Sequence, residues 1–128
     1  MGSDFTFQKL EKLSHKATID AIFQKKGVSI FKPPILFVFL KTELLTPFPC
    51  QVLFSVGKRK FKRAVHRNAI KRQLREVYRL NKQRIYNVIP VEDKYAIGIL
   101  YLNNTQVTYD VIDKQLTLAI DEFIKRLS

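Results

Sequence analysis

Basic side chains at four-residue spacing are the first feature of this sequence that could do chemistry. Arg67, Lys71 and Arg75 occupy positions i, i+4 and i+8, which on a helix places them about 6 Å apart along one side. That distance is comparable with the spacing between phosphates of a nucleic acid strand. Asn68 and Arg72 form an adjacent row, and amide and guanidinium groups can contact sugars, base edges or phosphates. The spacing therefore predicts a helix face that binds a nucleic acid backbone.

The positive charge of the chain is concentrated around these rows. From Lys58 to Arg75 there are nine Lys or Arg residues and no acid, whereas the other 14 of the chain's 23 basic residues are set against all 11 acidic ones. Like charges at this density repel one another, and a polyanionic partner relieves that repulsion. A solvated helix face is the alternative interpretation, but such faces usually mix the two signs of charge. We therefore expect a nucleic acid partner, although basic charge alone does not distinguish RNA from DNA.

The sequence offers few side chains for catalysis by the protein itself. It contains two His, one Cys and scattered carboxylates, with no Gly-rich phosphate loop and no Cys or His pair at metal-ligand spacing. Glu92 and Asp93 are expected in a turn, and Asp110 and Asp113 in the first turn of a helix, where acids interact favourably with the helix dipole. Cys50 is interpreted as a strand-edge residue. We expect no catalytic residue and no metal site in this chain.

Length and composition predict one soluble domain. A chain of 128 residues with 46% apolar residues and a single Cys can fold without disulfides or a structural metal. It contains neither an apolar run long enough to cross a membrane nor a recognisable signal peptide. We therefore expect a cytoplasmic protein with no membrane partner, folded as a single domain over residues 1–128, with residues 1–4 disordered or not native.

Apolar periodicity predicts the element order α-β-β-(β)-α-β-α. The predicted helices cover about 14–27, 64–84 and 108–127, and the predicted strands cover 35–41, 51–57 and 95–102. Ser14 is expected to cap the first helix, and the small residues Ala96 and Gly98 leave room on one sheet face for a packed helix or a ligand. A strand precedes the basic helix, which argues against a helix-turn-helix. The pattern predicts an α+β fold, in which helices pack on a small, mostly antiparallel sheet of three to four strands.

The residues around the basic helix resemble the signature of the bacterial ribonuclease P protein component. The segment 55–59 (SVGKR) leads into 64–76 (AVHRNAIKRQLRE), which is similar to that family's strand and its Ala-Val-x-Arg-Asn-x-(Ile/Val)-Lys-Arg-x-(Ile/Leu)-Arg helix. The first predicted helix and the element order also agree. The sequence departs from the signature at two places. Ala69, in the helix, replaces a third basic residue, whose contact is then absent or supplied by another residue such as Lys60, Lys62 or Arg63, and the connection 60–63 is one residue longer than in many members, so the loop is expected to follow a different path.

The resemblance implies an accessory protein of a large catalytic RNA, with a fold like domain 2 of ribosomal protein S5. That RNA removes the 5′ leader of precursor tRNA by magnesium-dependent hydrolysis, so magnesium is expected with the RNA subunit, and the protein alone is expected to bind no cofactor. The expected partners are the catalytic RNA and precursor tRNA, with no DNA. Two alternatives are another RNA-binding module, such as a small ribosomal or assembly protein, and an autonomous nuclease.

The resemblance also implies two groups of binding residues. The catalytic RNA would contact Lys58, Arg59, Lys62, Arg63, Arg67, Asn68, Lys71, Arg72 and Arg75. A cleft between the first helix and the sheet would receive the single-stranded leader, and its candidate residues are Ile19, Phe23, Phe37, Phe39, Phe54 and Tyr95. Aromatic rings offer sequence-tolerant stacking surfaces, but a domain of this size needs most of its aromatic residues inside, so each candidate also fits a core position. Phe37 and Phe39 point to the same sheet face, so both belong either to the core or to the cleft.

Overall fold

The computed structural model describes residues 11–57 and 61–127, except for the side chains of Lys25 and Lys26. Within these residues the elements, in chain order, are α1 (Lys16–Ala21), a π-helical turn that continues it (Ile22–Lys26), β1 (Val28–Lys32), β2 (Ile35–Lys41), β3 (Cys50–Val56), α2 (Ala64–Val88), β4 (Tyr95–Tyr101) and α3 (Tyr109–Leu127). In this part of the chain, no helix combines the length and apolar character needed to span a membrane.

The four strands form one sheet in the order β1-β2-β4-β3. β1 pairs with β2 and β2 with β4 in antiparallel orientation, whereas β3 and β4 are parallel. Parallel neighbours require a long crossover connection, and α2 provides it between β3 and β4. The predicted α+β class with a mostly antiparallel sheet is confirmed. The sequence pattern allowed three or four strands, and β1 is the strand for which it gave no bounds.

The two faces of the sheet are covered by different helices. The residues that point toward α2 and α3 form the main core, and they include Phe37, Phe39, Val52, Phe54, Ile97 and Ile99. The opposite face carries a smaller apolar cluster with Leu13, Ile22, Val38 and Ala96, where α1 and its π-helical turn pack. Apolar residues therefore alternate onto both faces of the strands, as the sequence indicated, because each face is at least partly covered.

The long helix α2 extends four residues beyond its predicted end, to Val88. Its buried side consists of Ile70, Leu74, Val77, Tyr78, Lys82 and Ile85. Leu80 is 51% exposed, although a helical projection places it within about 80° of Ile70. Lys82 is buried instead because its ammonium group pairs with Glu11, a contact that hydrophobic periodicity cannot indicate.

The first helix is shorter than the sequence predicted. It begins at Lys16, and the residue before it is His15, with no side-chain hydrogen bond capping the helix, so the expected cap at Ser14 is wrong. At the other end, Gly27 has extended backbone angles, with φ −87° and ψ 160°. A Cβ atom there would lie 2.8 Å from Val38 Cγ1 and 3.0 Å from Ile22 Cγ2. Gly27 therefore lets the chain pass close to β2 as it enters β1.

Candidate nucleic-acid interface

The outward side of α2 carries the predicted row of basic residues. We call this surface the basic face of α2, and it consists of Arg67, Asn68, Lys71, Arg72 and Arg75. Asn68, Arg72 and Arg75 are exposed, whereas Arg67 and Lys71 are partly buried. The face points outward because the opposite stripe of α2 packs into the core.

The cations on this face are not neutralised locally. Among the residues that the structure describes, no carboxylate forms a salt bridge with Lys71, Arg72 or Arg75. The first turn of α2 also contains no acidic residue, so the positive end of the helix dipole adds to the potential of the side chains. The surface therefore attracts anions.

Arg67 differs from its neighbours because its guanidinium group binds the preceding loop. Its Nη1 atom donates hydrogen bonds to the backbone oxygens of Phe61, at 2.7 Å, and Lys62, at 2.9 Å. Phe61 is buried, with its ring 6.0 Å from that of Tyr101. Arg67 therefore fixes the loop to the first turn of α2.

The basic face ends one turn beyond Arg75. The Arg75 guanidinium carbon lies 5.8 Å from the centre of the Phe54 ring, in a cation–π contact. Arg79, the next basic residue, pairs with Glu76 at 2.6 Å. The hydrogen bond from Arg79 lowers the pKa of the Glu76 carboxyl below its usual value. Both side chains therefore stay ionised, and the pair carries no net charge.

The loop before α2 contributes further cations. Lys62 and Arg63 are exposed immediately ahead of the helix. Lys58 and Arg59, the other two residues predicted to contact the catalytic RNA, lie outside the described residues. The structure thus brings seven of the nine predicted residues to the outward side of α2 and the loop before it.

Four of the six candidate leader-binding residues lie in the core rather than in a cleft. The rings of Phe37, Phe39 and Tyr95 surround Phe123 of α3, at centroid distances of 5.3, 4.7 and 5.6 Å. Phe54 is 9% exposed and packs against α2. All four lie on the sheet face that α2 and α3 cover, so their assignment to a cleft beside the first helix is corrected.

Ile19 and Phe23 lie on the opposite face, beside the sheet. Ile19 is partly buried against the apolar cluster under α1. The Phe23 ring is 45% exposed, and its Cζ atom lies 3.7 Å from the position that a Cβ at Gly98 would occupy. The small residue in β4 thus makes room for a ring, which agrees with the expectation that this face accommodates a packed helix.

The sheet face beside Phe23 has an apolar floor whose residues were not among the predicted site residues. The partly buried Leu36, Leu53 and Leu100 line the sheet face beside Phe23. Phe31 pairs across the strands with Leu36 and is 56% exposed. We call these five residues the α1 groove. The available signal was strand alternation, because assigning Phe37 and Phe39 to the core directs Leu36 to the other face.

The same sheet face continues into an open cavity of about 950 Å³ near the start of α1. Its lining includes Lys12, His15 and Lys16 on one side, and Gln51 and Lys94 on the sheet side. Glu43 and Glu92 also line it, so the cavity combines cationic, acidic and uncharged polar groups.

The buried Cys50 thiol and Tyr78 hydroxyl are held in their neutral forms. Cys50 is fully buried and its Sγ atom lies 3.1 Å from the Tyr78 hydroxyl oxygen. Burial raises the pKa of the Cys50 thiol to about 12 and raises that of Tyr78 well above its ordinary value. Cys50 is the first residue of β3, as expected of a residue at the edge of a strand, and its thiol is shielded from solvent. Across the described part of the chain, no three His, Cys, Asp or Glu residues cluster as a metal site would require.

Known proteins similar to this chain share one description. The chain matches the Ribonuclease P family over residues 7–125. It is 34% identical over 117 residues to the ribonuclease P protein component of Porphyromonas gingivalis, covering 91% of this chain and 85% of the relative. The ribonuclease P protein component of Chlorobaculum tepidum is 62% identical over a shorter stretch of 34 residues, 27% of this chain and 22% of the relative.

Solved structures agree at the level of the fold. The RNase P protein of Staphylococcus aureus superposes with a TM-score of 0.68 at 20% identity, covering 88% of this chain and 94% of the other. The protein from Thermotoga maritima gives a TM-score of 0.66 at 21% identity, covering 88% and 96%. With the family match over nearly the whole chain, these observations support a role in a tRNA-processing endoribonuclease. The chain belongs to the family of bacterial ribonuclease P protein components.

Proposed function

We propose that this chain binds the catalytic RNA of ribonuclease P through the basic face of α2 and the 5′ leader of precursor tRNA through the α1 groove. In this role it assists the magnesium-dependent removal of the leader in the cytoplasm, and the RNA carries out the chemistry. The observation that carries the proposal is the set of uncompensated cations along α2. No second function is favoured by a specific observation.

The basic face of α2 suits the backbone of a folded RNA. Lys71, Arg72 and Arg75 present charges without acidic partners in the described part of the chain, so they gain ion pairs when phosphates approach. Each such contact releases condensed counterions from the RNA. The protein thereby reduces the repulsion between RNA segments, which lowers the magnesium concentration that the RNA needs.

The α1 groove suits an unpaired strand. Its floor of leucines is apolar, and the exposed ring of Phe23 offers a flat surface on which a base can stack regardless of its identity. The groove and the basic face of α2 lie on opposite sides of the sheet. One protein molecule can therefore hold the catalytic RNA and the leader at the same time.

Cleavage of a 5′-extended precursor tRNA at low millimolar magnesium tests the proposal. The reaction is run with the catalytic RNA alone, the protein alone, and the two together. Product only in the combined reaction is the expected result. Product with the protein alone would contradict catalysis by the RNA. No product in any mixture, with an RNA that is active at high magnesium, would contradict the subunit function.

Phe23→Ala tests the leader site separately. The ring is nearly half exposed, so the variant should fold, and it should lose affinity for a leader-bearing precursor while retaining affinity for a leaderless tRNA. Removing base–aromatic stacking costs about 1–3 kcal/mol per base. Leu118→Ala on α3, which truncates a similarly exposed side chain at 41%, is the matched control and should leave both affinities unchanged.

A further inference from the structure

A buried ion pair connects the segment before α1 to the long helix. The Lys82 ammonium nitrogen lies 3.0 and 2.9 Å from the two carboxylate oxygens of Glu11, and the side chains are 3% and 0% exposed. The Tyr86 hydroxyl donates a further hydrogen bond to the same carboxylate. A buried ion pair is often no more stabilising than an apolar pair of similar volume. Its distinctive property is that it fixes one geometry.

The segment that follows Glu11 crosses the edge of the sheet. Lys12 forms a parallel bridge with Val52 of β3, and the Leu13 amide donates to the Val52 carbonyl at 2.9 Å. Leu13 is 1% exposed and packs with Val38 on the face opposite α2. Within three residues the chain passes from α2, around β3, to the face that α1 covers. This segment therefore joins the two layers of the fold.

Helix α1 depends on this attachment for its position. It has six residues, none of them buried, and no side-chain hydrogen bond caps its start. An isolated helix of that length is unstable in water. Its location is set by the residues that flank it, namely Leu13 on one side and Ile22 with Gly27 on the other. Glu11 holds the first of these two attachments.

We propose that Glu11 and Lys82 are a positioning pair that fixes α1 over the sheet and thereby sets the shape of the α1 groove for the tRNA leader. This inference rests on the leader-binding function proposed above. Neither residue contacts the leader. Their contribution is to hold the start of α1 at a constant distance from the sheet, so that Phe23 and the groove floor form one surface.

The test uses a double variant, Glu11→Leu with Lys82→Met. A single substitution would leave one buried charge without its partner and could unfold the protein, whereas the double variant replaces the pair with apolar side chains of similar size. The matched control is Asp121→Leu with Arg84→Met, which removes an exposed ion pair of 2.5 Å that also joins α2 to another element. Thermal unfolding establishes that both variants are folded.

Two properties are then measured for each variant, namely hydrogen exchange and tRNA affinity. Hydrogen exchange of the isolated protein reports the local stability of α1, and we expect amides in 16–26 to exchange about tenfold faster in the double variant, with α2 and β4 unchanged. Titration of the assembled ribonucleoprotein with leader-bearing and leaderless tRNA gives an affinity ratio, which we expect to fall at least about threefold, because a displaced surface loses contacts with its ligand. Affinity for the catalytic RNA should not change.

The outcomes separate this inference from the function on which it rests. Unchanged exchange in α1, or an unchanged affinity ratio, would overturn the positioning role. If the wild-type ribonucleoprotein itself shows no preference for leader-bearing tRNA, leader binding by this chain is refuted. The proposed role of Glu11 and Lys82 in leader binding is then refuted too. Faster exchange throughout the variant would also overturn the proposal, because the pair would then stabilise the whole fold.

Discussion

Removing two cations from the basic face of α2 should weaken RNA binding in a way that depends on salt. Lys71→Ala with Arg72→Ala is the most direct change, since neither side chain has an acidic partner in the described residues. Both positions lie inside a helix of 25 residues, where Ala is the most favourable residue. We therefore expect the variant to fold normally and to differ from wild type only at the interface.

The magnitude follows from counterion release. Each phosphate contact contributes about 0.7–0.9 to the slope of log K against log salt concentration, so losing two contacts should reduce the slope by about 1.4–1.8. The contribution vanishes near 1 M salt and corresponds at 0.1 M to a loss in affinity of roughly 25- to 60-fold, or about 2 kcal/mol. Binding near 1 M salt should be almost unchanged.

The assay is equilibrium binding of the protein to the catalytic RNA over a series of salt concentrations. Lys114→Ala with Lys125→Ala is the matched control, because it removes two exposed lysines from α3 and lowers the net charge equally. A slope that falls by the same amount in both double variants would show that net charge alone determines binding. An unchanged slope in Lys71→Ala with Arg72→Ala would refute the assignment of this face.

Three further predictions concern single residues. Arg67→Ala should reduce the salt slope less than either substitution above, because its guanidinium is bound to loop carbonyls; an equal reduction in the same titration would contradict this. Gly27→Ala should destabilise the fold by about 1–3 kcal/mol, since its Cβ would meet Val38 at 2.8 Å, whereas Gly98→Ala, with 3.5 Å of clearance, should change urea unfolding much less. With a pKa of about 12, Cys50 should be about 10⁻⁴ ionised at pH 8 and react with a thiol reagent only after unfolding; rapid labelling of the native protein would argue against its burial.

Local patterns in the sequence were sufficient for most of the secondary structure and for the basic face. The strands β2, β3 and β4 and the last helix fall within one or two residues of their predicted limits, because alternation and helical periodicity depend on near neighbours. The same holds for Arg72 and Arg75, whose exposure follows from their position opposite the apolar stripe of α2. Side chains that share one helix are positioned relative to each other by the helix alone.

Which sheet face is core and which is groove depends on how distant elements pack together. Alternation places Phe37 and Phe39 together, and Leu36 opposite them, but it does not indicate which face the helices α2 and α3 cover. That choice depends on the crossover between β3 and β4 and on the packing of Phe123. The sequence alone does not distinguish an aromatic residue of the core from one of the groove.

The buried ion pair between Glu11 and Lys82 is a second feature that local sequence patterns cannot predict. Glu11 and Lys82 are 71 residues apart, and each taken alone resembles an exposed charged residue. Their pairing requires α2 to lie against β3 and the segment before α1 to pass around the sheet edge. Most of the elements and the basic helix follow from the sequence, because they depend on neighbouring residues, whereas the groove and its attachment to α2 arise from contacts between distant segments that exist only in the folded chain.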